Sequence, residues 1–474
     1  MSDALEVLRQ TLSGQQAWLV GGSVRDRLLE RSTADLDVVI DGDPAVAARA
    51  LARAAGGGGA ASFALSEDFG AWRVVARDGS WQIDLERMRG DTLREDLEQR
   101  DFTVNAIAEP VAGGTPIDPL GGQCDLSERR LRMVAPQAFA DDPLRVLRLV
   151  RLAVELDLSV EESTLRAAQA AAGRLPSVAG ERVFMELRRI VDAPAVLRGL
   201  ELMGQVEATA AVLPELEGLR GVEQSKYHHR DVHGHTLEVL EQVIALQADP
   251  AGLLGSEHGE QVAALLAEPL ADDLTRGSAL RWGALLHDAA KPATRAVIPL
   301  SGRVTFMGHD SIGADLAREV LGRLRTSERL RAHVAALVRH HLRLGFLVHE
   351  PQPLARESVF GYLRATEPVE VDVTLLSVAD RLATRGKRAE RAIEVHMRLA
   401  RTMLADALQW RAQGGPAAPL WRGDELAREL GIELGPQVGE LLEELARARY
   451  AGTVHTQAEA LDFAKALSAN RMRS

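Results

Sequence analysis

The sequence predicts an α+β protein: a mixed sheet with helices up to about Pro119, then an all-helical remainder. Three observations carry that prediction. Short apolar stretches separated by Gly-rich or helical segments are confined to the first part of the chain. From Asp125 onward a helical period takes over. The 474 residues are 46% hydrophobic but only 4% aromatic, with alanine and leucine abundant, which favours helix. A chain of this length should form more than one domain.

Taken in order, the predicted strands are Ala17–Val20, Leu36–Ile40, Trp72–Ala76 and Trp81–Leu85. Gly56–Gly59 reads as a surface loop. Asp142-Pro143 reads as a helix start, an acidic cap followed by Pro at the first helical position. Pro214 and the Gly218–Gly221 region suggest a boundary. A histidine-rich helical segment runs from about Tyr227 to Gly386, with a poorly structured insertion expected near Asp249–Arg276. Gly414–Pro419 reads as a linker, followed by a helical tail from Leu420 to Leu467. No internal repeat occurs. The expected division is a head over 1–123, a helical neck over 124–222, the histidine-rich domain over 223–390 and a tail over 391–474.

The single Cys124 excludes an intramolecular disulfide and a cysteine-cluster zinc site. The first residues lack the basic start and apolar core of a secretory signal, and no apolar run spans a bilayer. A cytoplasmic protein without a membrane partner is expected. The formal net charge of -12 argues against indiscriminate nucleic-acid binding, but leaves room for a local basic surface. Only four lysines occur, so nearly all positive charge is arginine. Genome-level composition bias is the simpler explanation of that.

Asp35 and Asp37 stand one residue apart in Ala34–Ile40, so in a strand both carboxylates face one side. Side by side they repel, and a hard divalent cation removes that cost. An Asp-x-Asp alone is also compatible with two exposed acids in a turn. The preceding Val20-Gly21-Gly22-Ser23-Val24-Arg25-Asp26 strengthens the metal reading. Its glycines let backbone approach a phosphate, with a helix N-terminus and Arg25 following.

Further motifs follow in order: Arg100-Asp101-Phe102-Thr103-Val104-Asn105-Ala106, Asp118-Pro119-Leu120-Gly121-Gly122, Asp141-Asp142-Pro143-Leu144-Arg145 with Arg148, and Gly180-Glu181-Arg182 through Glu186. Over residues 15–200 this series resembles the class II tRNA nucleotidyltransferase and poly(A) polymerase family. The first Arg of the family's Arg-Arg-Asp motif is Gln99 here. The resemblance implies a polymerase-beta-like nucleotidyltransferase head and template-independent addition to tRNA 3' ends from CTP, with ATP the other candidate nucleotide. Asp35 and Asp37 would be catalytic, holding Mg2+ in a two-metal transfer that activates the terminal hydroxyl and neutralises the leaving oxygen. Gly21, Gly22, Arg25, Arg100, Asp101, Asn105, Asp142, Arg145 and Arg148 would bind the nucleotide. Asp84 is either a third carboxylate on a neighbouring strand or a strand-edge acid.

Asp142 and Arg145, three residues apart, are expected on one helix face. An Asp accepts from the N4 amino group of cytosine, and an Arg donates to O2 and N3. Adenine also pairs an amino donor with a ring acceptor, whereas uracil and guanine reverse the pattern. Such a pair selects C and A without a template. The alternative is a helix-surface ion pair. Between Arg87 and Arg100 only residues 88–99 intervene. Family members that build a whole CCA end usually carry a longer flexible loop here, and its loss is associated with relatives adding only the two cytidines. CC addition is therefore expected, with full CCA addition, A addition and poly(A) synthesis as rivals.

Every histidine lies beyond Lys226. The array His228-His229 through His235, His287-Asp288 with Lys291, His309-Asp310, His340-His341 and Asp380-Arg381 resembles the HD phosphohydrolase superfamily over about 227–386. The resemblance implies metal ligation by His235, His287, Asp288 and Asp380. His309 and His341, chosen over His340, would complete a second position. Mn, Ni or Fe suits this donor set, or Mg2+ if carboxylates dominate. Lys291 would contact a phosphate. The domain either hydrolyses 3'-phosphates or 2',3'-cyclic phosphates on RNA ends, or supports the RNA without activity. Arg381, Arg385, Lys387, Arg388, Arg391, Arg398 and Arg401 make the next helix basic; a solvated face is favoured over a grip on tRNA. From another class, the protein would be chiefly a metal-dependent phosphohydrolase with an RNA-binding N-terminal part. Intact Asp35, Asp37, Asp142 and Arg145 argue against that.

Overall fold

The computed structural model describes residues 2–55, 59–66, 70–224, 229–299, 301–385 and 389–471. Gly56, Gly57 and Gly58 of the expected loop lie outside them, as do Tyr227, His228, Gly386, Lys387 and Arg388. The chain divides into two compact units, Met1–Val212 and Leu213–Ser474.

The first unit opens with α1 (Ser2–Thr11), β1 (Ala17–Val20), α2 (Gly22–Leu28), β2 (Asp35–Ile40) and α3 (Pro44–Ala54). It continues with β3 (Ala60–Ser66), β4 (Ala71–Ala76), β5 (Gln82–Arg87), α4 (Leu93–Glu98) and β6 (Ala108–Pro110). The six strands form one sheet in the order β3-β4-β5-β2-β1-β6. Only β2 and β5 pair in parallel; the other neighbours are antiparallel. That register sets Asp37 directly beside Asp84, and on the other flank beside Val20 at the end of β1. Leu36, Val38 and Ile40 are buried, because β2 lies inside the sheet and its apolar residues have nowhere else to go. The face carrying Val20 and Val39 packs on Leu97, Ala106 and Ala108. Burial of these chains anchors the strand that presents the two acids.

All four predicted strands exist, within one or two residues at their ends. β3 went unpredicted: its small residues sit on the sheet edge with Phe63 exposed, so no buried alternation marks it.

Beyond the sheet lie α5 (Gly122–Ser127), α6 (Ala138–Asp141), α7 (Arg145–Glu155), α8 (Glu162–Ala172), α9 (Gly180–Asp192) and α10 (Val196–Gln205). The expected helix start at Asp142-Pro143 is corrected: α7 begins at Arg145, so Asp142 is not on the helix. Arg145 and Val146 donate to the carbonyls of Asp142 and Pro143 at 3.1 Å, a tight turn before the helix proper. Asp142 still caps that turn, accepting from the Leu144 amide at 3.1 Å.

The second unit is almost all helix. Val232–Ala248, Arg276–Leu286, His309–Arg323, Glu328–His340 and Glu370–Ala383 surround the histidine array. The expectation of a poorly structured insertion near Asp249–Arg276 is wrong. Helices Pro250–Leu254 and Ser256–Leu266 and a small strand pair, Pro269–Ala271 with Leu274–Thr275, fill it. Val262, Leu265 and Leu266 are buried, a helical spacing obscured by the Gly, Glu and Asp residues that flank it. The tail helices Gly423–Leu430, Pro436–Tyr450 and Gln457–Arg471 enclose Leu426, Leu441, Leu445 and Val454. Among the described residues no helix is long and apolar enough to cross a membrane.

Candidate functional site

The strand β2 and the turn after β1 meet over a cavity of about 320 Å³ lined by Gly21, Gly22, Asp37, Asp84, Arg100 and Asn105, among others. Gly21 has φ 65°, and a Cβ there would come within 3.3 Å of both Arg100 Nη1 and Asp37 Oδ2. A side chain is thus disfavoured, first by backbone conformation and then by crowding against the two side-chain ends. Asp37 is pushed up to about 6, first by burial and then by Asp84, with Arg100 opposing. The nearby arginines do not offset that burial, and a pair of carboxylates suits Mg2+. Asp35, in register one step outward, is exposed.

Asp84 faces the cavity while Arg73 grips its carboxylate through two 2.7 Å hydrogen bonds. It is therefore a cleft residue rather than a loose strand-edge acid.

Arg25 is anchored before any ligand arrives. It donates from Nη1 to Asn105 Oδ1 at 2.6 Å and from Nε to Asp26 at 2.8 Å. Asn105 donates in turn to Asp101 at 3.0 Å, and Arg148 pairs with Asp101 at 2.7 Å. Burial alone would raise the Asp101 carboxyl, but Arg148 and the Asn105 amide hold it below its usual range. Arg25, Asn105, Asp101 and Arg148 thus form one connected chain of contacts, of which Asn105, Asp101 and Arg148 line the cavity. Fixed N–H dipoles and cations of this kind suit the phosphates of a nucleotide.

Residues 88–99 form a capped structure. Thr92 and Glu95 make a capping box on α4, and Glu95 also accepts from the Asp91 amide at 2.7 Å. The buried Asp96 accepts from the Arg89 amide at 3.0 Å and from Arg100 Nη2 at 2.9 Å. Arg145 is held against the end of this segment. Its guanidinium donates to the carbonyls of Gln99, Arg100 and Ala138 at 2.8, 3.2 and 3.0 Å. Those bonds engage three of its five N–H groups. Asp142 and Arg145 line the same cavity, but Asp142 pairs with Arg182 of α9 at 2.7 Å.

In the second unit, His235, His287 and Asp288 form one group whose ligand atoms lie within 4.8 Å of one another, and Asp288, His309 and His341 form another. Asp288 belongs to both. His287, His309 and His341 each direct Nδ1 to a backbone carbonyl three residues back, at 2.8, 2.6 and 2.6 Å. This fixes Nδ1 as the donor and turns Nε2 inward as the ligand atom. Asp380 lies 2.9 Å from His235 Nε2. The carboxyl of Asp288 is held well below its usual range, against its burial, by His287 and Lys291. Burial and the neighbouring His287 push His341 down to about 4, which keeps its imidazole neutral. His340 takes part in neither group. Lys291 contacts Asp288 and Gln224, each at 2.7 Å. Buried imidazoles aimed at a shared carboxylate fit a divalent transition metal.

On the helix Ala389–Ala412, Arg398 pairs with Glu394, and Arg411 pairs with Glu268. Arg182, Arg89 and Glu86 also line the cavity, though none of them was expected to bind the nucleotide. For Glu86 a signal existed, since it is two residues after Asp84 on one strand. Arg182 lies in the Gly180–Glu186 motif, but its partner Asp142 is 40 residues away, and no local pattern announces that pairing.

Residues 17–132 match the Poly A polymerase head domain, 157–219 the probable RNA and SrmB-binding site of polymerase A, and 255–385 the HD domain. The chain is 39% identical to an A-adding tRNA nucleotidyltransferase of Deinococcus radiodurans, over 94% of each chain. It is 34% identical to a CC-adding tRNA nucleotidyltransferase of Thermus thermophilus, covering 95% of this chain and 93% of that one. Among solved structures, a CCA-adding enzyme in complex with ATP superposes with TM-score 0.64 at 20% identity, over 99% of this chain and 95% of that one. At that identity the likeness speaks for the fold.

Proposed function

Because the chain belongs to the tRNA nucleotidyltransferase family, we propose that it adds cytidines from CTP to tRNA 3' ends and stops after two. The membership rests on the 39% identity over nearly the whole chain. The enzyme is a tRNA nucleotidyltransferase of the CCA-end type; the stopping point is our reading. One observation carries it. The connection 88–99 is a capped turn whose last carbonyl, with that of Arg100, holds the Arg145 guanidinium. A base-reading arginine fixed in this way keeps one arrangement of donors, suited to one base, where a switch from C to A requires two.

In this reading Asp35 and Asp37 hold Mg2+, which when bound lowers the pKa of the attacking 3'-hydroxyl and neutralises the leaving oxygen. Gly21 and Gly22 let the triphosphate approach the backbone, and the anchored Arg25 faces the outgoing phosphates. Arg100 stands beside Asp37, and Arg148, supported through Asp101 and Asn105, offers charge to the triphosphate or sugar. Asp142 accepts from the base amino group while the unengaged N–H groups of Arg145 donate to its ring acceptors. The division into head 1–123, neck 124–222, HD domain 223–390 and tail 391–474 is proposed with these roles.

A addition is the second reading, favoured by the name of the 39% identical relative. Supplying ATP alone with tRNA ending in CC, and CTP alone with tRNA lacking all three nucleotides, separates the two. Two cytidines added and no adenosine supports CC addition; efficient adenosine addition overturns it.

The histidine domain is proposed to hydrolyse phosphate esters at RNA ends, with His235, His287, Asp288 and Asp380, and His309 and His341, holding Mn, Ni, Fe or Mg2+. The anchored Nδ1 atoms support this. Asp288→Asn should abolish hydrolysis of a 2',3'-cyclic phosphate; unchanged hydrolysis removes the site from consideration.

A further inference from the structure

Asp142 is engaged on both oxygens. Oδ1 accepts from the Leu144 amide at 3.1 Å, and Oδ2 accepts from Arg182 Nη2 at 2.7 Å. Arg145, the neighbour expected to share its helix face, instead turns its guanidinium to main-chain carbonyls. The cation that orients Asp142 is therefore Arg182, from the first turn of α9, and both side chains line the same cavity.

We propose that Arg182 is a specificity-determining positioning residue: it fixes the Asp142 carboxylate so that its remaining lone pairs face the amino group of the incoming base. This rests on the base-reading role proposed above for Asp142. A carboxylate offers about four acceptor sites, and the amide and the guanidinium occupy one on each oxygen. What is left is acceptor only, directed by two fixed donors. An amino group at C4 of a pyrimidine is then welcomed, and the carbonyl at the same position of uracil is repelled.

Without Arg182 the terminal torsion of Asp142 becomes broad and two-fold, held by the amide alone. The acceptor atoms then lose their fixed spacing to the Arg145 donors, and the difference between cytosine and uracil shrinks. The Arg182 side chain is 55% exposed, so the ion pair contributes little to stability and its removal should leave the fold intact.

The test is single-nucleotide incorporation from CTP and from UTP onto tRNA lacking its last three nucleotides, using Arg182→Met, Arg182→Lys, Asp142→Asn and the Met/Asn double variant. Arg182→Met should lower the CTP-over-UTP ratio of kcat/KM about tenfold, the order of one charge-assisted hydrogen bond, chiefly through KM for CTP. Its melting temperature should stay at the parent value. Arg182→Lys should recover part of the ratio, and the double variant should discriminate no worse than Asp142→Asn. An unchanged ratio in Arg182→Met, or a parallel loss with both nucleotides, overturns the proposal and leaves Arg182 a phosphate or surface contact. Full discrimination in Asp142→Asn would instead remove the base-reading role itself.

Discussion

The nucleotide cleft and the histidine centre both gather carboxylates for a cation, yet they are built in opposite ways. The cleft is open, and its acids are carried by one strand and a register partner, with Asp37 pushed up to about 6 by burial and Asp84. Its arginines are what is fixed, each tied to a carboxylate, an amide side chain or a carbonyl. In the histidine centre the ligands themselves are fixed: three imidazoles are locked through Nδ1, and Asp288 stands between two ligand groups. The difference teaches what each site has to do. A site proposed to admit a nucleotide and an RNA end keeps its walls rigid and its acids at the wall of an open cavity. A site proposed to keep a resident metal buries its candidate ligands and sets their tautomers beforehand.

The sharpest way to break this comparison is to remove one acid from each site. Asp37→Ala should lower nucleotide incorporation at least about a thousandfold, as expected when a cation-binding carboxylate at the reacting centre is lost. Hydrolysis of a 2',3'-cyclic phosphate by the same variant should remain at the parent rate. Loss of both activities together would mean that the sites are not independent.

Asp288→Asn probes the other side. It removes the carboxylate shared by both ligand groups, so metal content measured by elemental analysis after gel filtration should fall to near background. Incorporation of CTP should persist. Retained metal would show that the imidazoles and Asp380 suffice.

A smaller effect tests the rigid wall. Glu95→Ala removes the reciprocal half of the capping box on α4 and its bond to the Asp91 amide, a loss of about 1 kcal/mol. Loosening the segment that holds Arg145 should raise ATP misincorporation severalfold with little change in melting temperature. A parent-like ratio of CTP to ATP use would detach the connection from base choice.

The smallest effect is expected away from both sites. Glu161 caps α8 through Thr164, and its hydrogen bonds with Ser163 and Thr164 hold its carboxyl down to about 2. Because the folded value is depressed, its stabilisation is present above the ordinary glutamate range. That contribution is lost as pH falls from about 4.5 toward 2. Glu161→Gln should cost about 1 kcal/mol or less in denaturant unfolding at pH 7, and progressively less as pH falls toward 2.

Much of the cleft was legible because its parts are local. Gly21-Gly22, the alternation of Asp35 and Asp37, and the run from Arg100 to Asn105 are short patterns whose geometry follows from strand and turn rules. The clustered histidines were legible as an ordered series, and the structure groups His341, not His340, with Asp288 and His309. What escaped depends on contacts between distant segments. The partner of Asp142 sits on α9, the carbonyls that hold Arg145 belong to residues 99, 100 and 138, and Arg73 is what orients Asp84. Sequence spacing also misplaced the start of α7, because a tight turn with the same acidic-cap chemistry precedes the helix. The small-residue edge strand β3 left no periodic trace.

The central claim is that the cleft stops at cytidine. The most direct measurement is a product ladder at single-nucleotide resolution, with CTP and ATP supplied together to tRNA lacking its last three nucleotides. Products that accumulate at two added residues, with none at three when enzyme is raised in excess over tRNA, are predicted. A third residue added under those conditions, dependent on ATP, contradicts the claim.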